Sequence, residues 1–428
     1  MAHHHHSPFD HAKRDTPVRR TASFILAGLS GGHGIFHWFN QSFLVMLPDI
    51  EAAFGLSKTQ VGLITGTREI AGGLVMLPSG IILDVLRPYW GIVLSLCMLG
   101  FGLGWVLTGL SPVYPVILVG MVIVSVASSI WHLPAMGALS HHFEHRKGTA
   151  LSFHGIGGNL GDFIGPLATG AILTVMSWRG IISVYAVVPL TLTFIVFWAF
   201  RDIGTRGVPS HRQRGVGEQL RMTRRLMKSV TLWVVMLVAG LRGMAYLPLV
   251  TFLPSYMNDE LDFNTFWVGF HMGMLVFIGI VATPALGYIS DRIGRKIVII
   301  PSLLAMTALS FLLAPYGEGW MFTMLIALLG FFLYSDQPIL TAAVLDMVDH
   351  ESQGSTLGIL SFERIAMGGV SPIFAGWIYD SAGMDWVFVY AAGLLVAAAA
   401  LLMTVKLGKR GGFVRGGEAH SHHQGAAS

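Results

Sequence analysis

Seven ionisable residues stand in stretches that are otherwise apolar: Arg68 and Glu69 in "ITGTREIAGG" (64–73), Asp162, Arg242, Asp336, and the doublet Glu363-Arg364 in "FERI". A charge at the centre of a membrane helix costs roughly 2.5 to 3.5 kcal/mol on insertion scales, so each needs a partner, a water-filled cavity or a function. Four acids against three bases nearly balance, and pairing can offset much of that cost. Guanidinium groups hold carboxylate, phosphonate or sulfonate bidentately, which makes Arg68, Arg242 and Arg364 candidates for binding a small organic anion. Arg242 has no acid one turn away, only Tyr246, and is expected to be free for substrate, with pairing to Asp162 as the rival. The carboxylates Asp162, Asp336, Glu69 and Glu363 are the proton-coupling candidates, because such a group can exchange its proton as access alternates. His33 and His37 share one helical face, followed a turn later by Asn40 and Gln41; His37 and Gln41 join the substrate-binding set. With His132, His154 and His271 they make five intramembrane histidines, enough for a proton relay or a path for a divalent metal. No resident metal or cofactor is assigned.

These side chains must be positioned by helices in lipid. The 428 residues are 53% hydrophobic and 12% charged, with a mean hydropathy of +0.65; no soluble domain of this size needs so little polar surface. A spanning helix takes about 20 apolar residues. Glycine, proline and charge divide the chain into twelve runs near 22–47, 58–84, 89–109, 112–139, 149–176, 178–200, 229–257, 264–290, 296–315, 318–346, 354–380 and 385–407. Long, unalternating runs exclude a transmembrane barrel, so the expected class is an all-α membrane protein with twelve transmembrane helices. The basic excess does not signal nucleic acid. With both termini cytoplasmic, nearly every Lys and Arg falls on the inner side, while the outer loops hold only Lys58 and Arg179 beside acids such as Asp49, Glu51, Asp259, Glu260 and Asp380. Residues 1–21 are polar and the first run is long enough to span and stay, so no cleaved leader is expected. Cys97 is the sole cysteine, which rules out an intrachain disulfide.

An internal repeat divides the chain in two. "GTALSFHGIGGNLGDFIGPLATGAI" from Gly148 aligns without gaps on "GSTLGILSFERIAMGGVSPIFAGWI" from Gly354, superposing Pro166 and Gly170 on Pro372 and Gly376. Likewise Val61, Gly62, Gly80 and Asp84 fall on Val268, Gly269, Gly287 and Asp291, and "WHLP" falls on "SDQP", with His132 on Asp336. The expected organisation is a cytoplasmic tail 1–21, a six-helix half 22–200, a basic cytoplasmic linker 201–228, a second half 229–407 and a His-containing tail 408–428. The histidines of "MAHHHHSPFDH" and "EAHSHHQGAAS" stand apart from the fold.

"GYISDRIGRK" (287–296) resembles the loop signature of the major facilitator superfamily, G-x-x-x-D-x-x-G-R-[KR], and "GIILDVLRPYW" is its degenerate counterpart, keeping Gly80, Asp84 and Arg87. The resemblance implies two pseudo-symmetric six-helix bundles and a conformational latch made of Gly80, Asp84, Arg87, Gly287, Asp291, Gly294, Arg295 and Lys296. "GDFIGPLATG" resembles the fifth-helix motif of drug-and-proton antiporters in that superfamily, which favours export. Its Gly157, Gly161, Gly165 stripe, ahead of Pro166, lets another helix approach closely. The stretches "HWFNQSFLVMLPDIEAAFGLSKTQVGLITGTREIAGGLVMLPSG", "SSIWHLPA" and "RKGTALSFHGIGGNLGDFIGP" are similar to the fosmidomycin-resistance-type branch. That branch has His-Pro-Glu where this chain has His132-Leu133-Pro134, and an uncharged pair in place of Arg68-Glu69, so the substrate does not transfer with the likeness.

In the superfamily the second and eleventh helices face each other. Neighbouring residues on a helix point about 100° apart, so Arg68 and Glu69 are not expected to pair together. Arg68 with Glu363, or Glu69 with Arg364, is expected to bridge the halves. The functional expectation is a secondary transporter in the cell inner membrane, a monomer and not an enzyme, exporting a small organic solute, possibly anionic, against protons by alternating access. The alternatives are an exporter of divalent nickel, cobalt or zinc that uses the histidines, and an uptake permease for organic anions. The partners are the solute, protons and the lipid bilayer.

Overall fold

The computed structural model describes residues 18–205, 228–316, 319–348 and 353–407. Within them, the side chains of 77–85, 353–355, 357–359 and 361–366 lie outside the description, as do both His-containing tails and residues 206–227 of the linker. The expectations for Glu363, Arg364, Gly80 and Asp84 therefore fall outside the described side chains.

The described residues form thirteen α-helices and no strand. The first bundle comprises α1 (Ala22–Phe54), α2 (Lys58–Val85), α3 (Trp90–Gly109), α4 (Tyr114–His142), α5 (Lys147–Leu173) and α6 (Trp178–Phe200). The second comprises α7 (Val230–Asp259), α8 (Thr265–Ile293), α9 (Arg295–Tyr316), α10 (Gly319–Leu333), α11 (Asp336–Leu345), α12 (Gln353–Ala382) and α13 (Met384–Thr404). Helices α10 and α11 are two pieces of one apolar span, Gly319–Leu345. The break has a local cause: Pro338 has no N–H to offer the Tyr334 carbonyl four residues back, and Thr283 Oγ1 approaches that carbonyl at 3.5 Å instead. Helix ends elsewhere follow ordinary capping chemistry. Thr21, Ser177, Ser229 and Asn264 each accept a hydrogen bond from a backbone N–H of the first turn, and Gly55 closes α1 in the left-handed region at φ 60°.

Within the first bundle α1 packs on α5, and α3 packs on α4 and α6. The glycine stripe of α5 is spent on the α1 contact. A Cβ at Gly161 would overlap the Gly34 carbonyl, one at Gly157 the Ser30 carbonyl, and one at Gly165 would stand 2.6 Å from the Trp38 carbonyl. An aromatic core fills the space behind α1, with Phe36 against Phe101 (4.4 Å between ring centres) and Trp131 (5.2 Å).

The bundles meet along α2 with α12 and α5 with α8. Through Gly62 and Gly66, α2 lies against the carbonyls of Pro372 and Gly369, and Gly170 of α5 lies against Gly269 of α8. These contacts lie toward the face that carries Lys58 and the loop 260–264. There Asp380 of α12 caps the start of α2, accepting from the backbone N–H of Lys58 (2.8 Å) and of Thr59 (2.9 Å) and from the Thr59 hydroxyl (2.6 Å). Lys58 Nζ lies 2.6 Å from both Glu51 and Asp259, which joins the two bundles again. Phe163 and Phe277 touch across the bundles near mid-span (4.9 Å). Beyond them, toward the opposite face, a Cβ at Gly148, Gly155 or Gly287 would meet no atom within 4 Å. Among the described residues the direct contacts between the bundles named here thus lie at mid-span and toward the Lys58 face.

Candidate transport site

The described intramembrane charges, with the histidines, fall into three groups. In the second bundle, Arg242 of α7 grips Asp336, the first residue of α11, with Nε 3.0 and 3.1 Å from the two carboxylate oxygens and Nη2 2.8 Å from Oδ1. Its Nη2 also donates to the Leu333 carbonyl, freed where the tenth span breaks. The pair is almost fully buried, at 4% and 0% side-chain exposure, and the guanidinium lies over the Tyr246 ring at 4.9 Å. Arg242 is therefore neither free for substrate nor paired with Asp162, as the sequence had led one to expect. The helix break brings Asp336 to it, and a chain break inside a span is not written in hydropathy.

The second group corrects another expectation. Arg68 Nη2 lies 3.1 Å from Glu69 Oε1, although the two leave the helix about 100° apart. Both side chains are long enough to fold round the helix and meet, and Arg68 Nη1 also reaches the Asn40 carbonyl at 3.5 Å. This pair borders a cavity of about 700 Å³, part of it open to solvent, lined by Gln41, Leu44, Thr65, Arg68, Glu69, Gly243, Tyr246, Leu247 and Val250. Residues of α1, α2 and α7 thus face one polar space between the bundles. Thr251 of α7 donates to the buried Thr65 hydroxyl of α2 (3.3 Å), and Tyr246 donates to the Tyr334 hydroxyl (3.3 Å). Thr65, Leu44 and the α7 residues Gly243, Leu247 and Val250 were not among the sequence candidates. Small and apolar residue types carry no signal that separates a cavity wall from packing.

The third group lies in the first bundle. Asp162 of α5 accepts from His37 Nδ1 (2.9 Å). His37 Nε2 lies 3.0 Å from His33 Nε2, which in turn lies 3.1 Å from His132 Nε2 on α4. His33 Nδ1 donates to the His154 carbonyl (2.9 Å) and His132 Nδ1 to the Ser128 carbonyl (2.7 Å). The His154 ring stacks on that of His33 at 4.0 Å, and Gly158 gives His33 its space, since a Cβ there would stand 2.7 Å from the ring. His271 stands apart in the second bundle, bound to Thr323 (2.9 Å). The spacing of His33 and His37 announced a shared face; that His132 completes the cluster was visible only in three dimensions.

At the Arg295 face, Gly294 ends α8 at φ 108°. Arg295 then ties the turn together, contacting Asp291, Ser290 Oγ (2.6 Å) and Asp346 at the end of α11 (3.1 Å). Lys296 donates to the carbonyls of Met403 (2.9 Å) and Val405 (2.7 Å) at the end of α13. In the first bundle Arg87 packs over Trp90 at 5.7 Å.

Two bundles of this topology around a central polar cavity are matched by the sequence profile of the Major Facilitator Superfamily over residues 29–362 and 279–422. The chain belongs to the major facilitator superfamily. It is a multi-pass membrane protein, as the eight helices long and apolar enough to cross a membrane among the described residues also require, and its relatives place it in the inner membrane. Members similar to it include the fosmidomycin resistance protein of Escherichia coli K12, 23% identical over 90% of this chain and 94% of the relative. The glycerol-3-phosphate transporter of Bacillus subtilis is 20% identical over 95% and 97%. Among solved structures, a bacterial homolog of the human lysosomal transporter Spinster superposes with a TM-score of 0.77 at 16% identity, covering 90% of this chain and 96% of that one. The nucleoside transporter NupG follows with 0.74 at 16%, covering 89% and 98%. These structures share the fold. Family and relatives together make the chain a transporter of a small solute.

Proposed function

We propose that this chain is a secondary active transporter that exports its solute by alternating access of the cavity between the bundles, in exchange for protons. One observation carries the reading: side chains of both bundles line one mid-membrane cavity, while the direct contacts between bundles named above, among the described residues, lie at mid-span and toward one face. Positive residues on the Arg295 face make that face cytoplasmic, so the described state is closed outside and open inside, as the Spinster homolog is in its inward-facing form. The glycine contacts of α2 with α12 and of α5 with α8, together with the Asp380 cap, form the outer closure. The Arg295 and Lys296 contacts belong to the inner latch, which reshapes as the bundles rock.

Asp162 is the coupling carboxylate. Asp336 has a guanidinium fixed on it in three contacts, whereas Asp162, among the described residues, has the His37 imidazole against it and no arginine or lysine in contact. Export is supported by the fifth-helix motif and by the resistance function in the name of the Escherichia coli relative. The anionic-solute reading has lost ground, because Arg242 is neutralised inside its own bundle and Arg68 shares Glu69.

Alternating access is tested with a Cys97→Ser chain carrying Gln41→Cys. An impermeant maleimide should label Cys at position 41 from the cytoplasmic face in everted vesicles and, less often, from the outer face in whole cells. A second chain that adds Thr59→Cys and Asp380→Cys, cross-linked, should lose only the outer labelling. Labelling from one face regardless of the cross-link would refute the reading. Proton exchange is tested by dissipation of a pH gradient in everted vesicles on adding fosmidomycin or glycerol 3-phosphate as organic anions, or Zn²⁺ as a divalent cation: wild type should respond to one of them, and an undiminished response in Asp162→Asn refutes the coupling role.

A further inference from the structure

The three clustered histidines of the first bundle pose a bonding problem. A backbone carbonyl only accepts hydrogen bonds, so the contacts of His33 Nδ1 with the His154 carbonyl and of His132 Nδ1 with the Ser128 carbonyl require both Nδ1 atoms to carry the proton. Both Nε2 atoms then present lone pairs, facing each other at 3.1 Å. His37 repeats the arrangement, with Nδ1 on the Asp162 carboxylate and Nε2 turned to His33 Nε2 at 3.0 Å. Lone pairs converge only around something electron-poor. In a tetrahedral site with metal–nitrogen bonds near 2.0–2.1 Å, neighbouring ligand nitrogens stand about 3.3 Å apart, close to the separations found here. The oxygen acceptors on all three Nδ1 atoms are the outer partners that fix the tautomer of a metal-binding imidazole.

We propose that His33, His37 and His132 form a binding site for one divalent d-block cation, of the zinc, cobalt or nickel kind, and that this ion is the solute carried. The second half rests on the transport reading above. Three protein nitrogens leave a fourth position open, as sites that exchange or activate their ion do, whereas purely structural sites are closed by four ligands. The site is reachable, since the His37 side chain is 32% exposed and Gln41, one turn along α1, lines the cavity. The charges facing it favour a cation. Arg68 is compensated by Glu69 and Arg242 by Asp336, while Asp162, among the described residues, has only the His37 imidazole against it. Imidazole nitrogens select late first-row metals over magnesium or calcium, which prefer oxygen.

The test uses the full-length chain in which the terminal histidines His3 to His6, His11, His420, His422 and His423 are replaced by serine, so that the tails cannot mask the site. Calorimetry with Zn²⁺ should give one ion per chain, and Co²⁺ should develop the intense visible bands of a four-coordinate ion. His132→Gln and His37→Gln should each weaken binding at least ~100-fold, and Asp162→Asn ~10–100-fold, as for other outer partners. His271→Gln should leave binding unchanged. Gel filtration and thermal unfolding show whether each variant is folded, and either triad variant serves if the other is not. Absence of a bound ion, or unaltered binding in the folded triad variants, overturns the site. In proteoliposomes loaded with a zinc-sensitive dye, Zn²⁺ flux should require His132; an ion bound but not moved overturns the assignment as cargo. Labelling at position 41 reports on alternating access separately, so the two readings fail independently.

Discussion

Replacing Asp336 by Asn leaves the Arg242 guanidinium buried without its counter-charge. Arg242 makes three contacts within 3.1 Å with the Asp336 carboxylate, and neither side chain exposes more than 4% of its surface, so water cannot take over. Removing one partner of such a pair typically costs about 3–5 kcal/mol, and the amide, which can still accept from Arg242, places Asp336→Asn at the lower end. Arg242→Met should cost about as much, because it strands the carboxylate and also the Leu333 carbonyl. The double change Arg242→Met with Asp336→Leu removes both charges and fills the space with apolar side chains; its main residual loss is the unpartnered carbonyl, about 1–3 kcal/mol. With Asp336→Leu as the matching single change at that position, expected losses of about 4 kcal/mol for Arg242→Met and for Asp336→Leu and a double loss near 2 kcal/mol imply a coupling of roughly 6 kcal/mol, within the range of about 1.5–7 kcal/mol for close charge pairs. Reversible unfolding of the purified protein in mixed micelles, followed by tryptophan fluorescence, measures all four corners of the cycle. Single losses below about 1 kcal/mol, or a double mutant whose loss equals the sum of the singles, would refute the view that Arg242 and Asp336 are a closed pair.

Asp380→Ala uncaps the start of α2 and loosens the Lys58 face, so labelling of a cysteine at position 41 from the outer face should rise several-fold. Gly66→Leu or Gly269→Leu, which drive a side chain into the backbone of the opposite bundle, should hold the outer face open in the same assay. Gly161→Val sets α5 against the Gly34 carbonyl within one bundle; overpacking of this kind costs about 1–3 kcal/mol and should lower unfolding stability without changing which face is labelled. Ser125 donates to the Arg68 carbonyl, so Ser125→Ala should cost no more than about 1 kcal/mol and leave labelling at position 41 unchanged.

How much of this was legible in one dimension follows from what each signal depends on. Helices and their number follow from local quantities: apolar run length, the capping Ser, Thr and Asn residues, and the prolines and glycines that end runs. The repeat that aligns Gly148 with Gly354 disclosed two bundles, and "GYISDRIGRK" disclosed the superfamily, because both are patterns within contiguous sequence. The residues worth attention were also visible, since a charge or histidine in an apolar run stands out on cost alone. Which of them meet was not visible. Arg242 could look toward Asp162 or Asp336, and a helix break at Tyr334–Ser335 decided it; Arg68 and Glu69 were separated by helical angle and rejoined by side-chain length. His132 lies 99 residues from His33, and only the packing of α4 and α5 around α1, permitted by glycines at 34, 157, 158 and 161, brings its ring to the pair on α1. Partner choice depends on distances between helices, and those are set by packing that no single segment encodes.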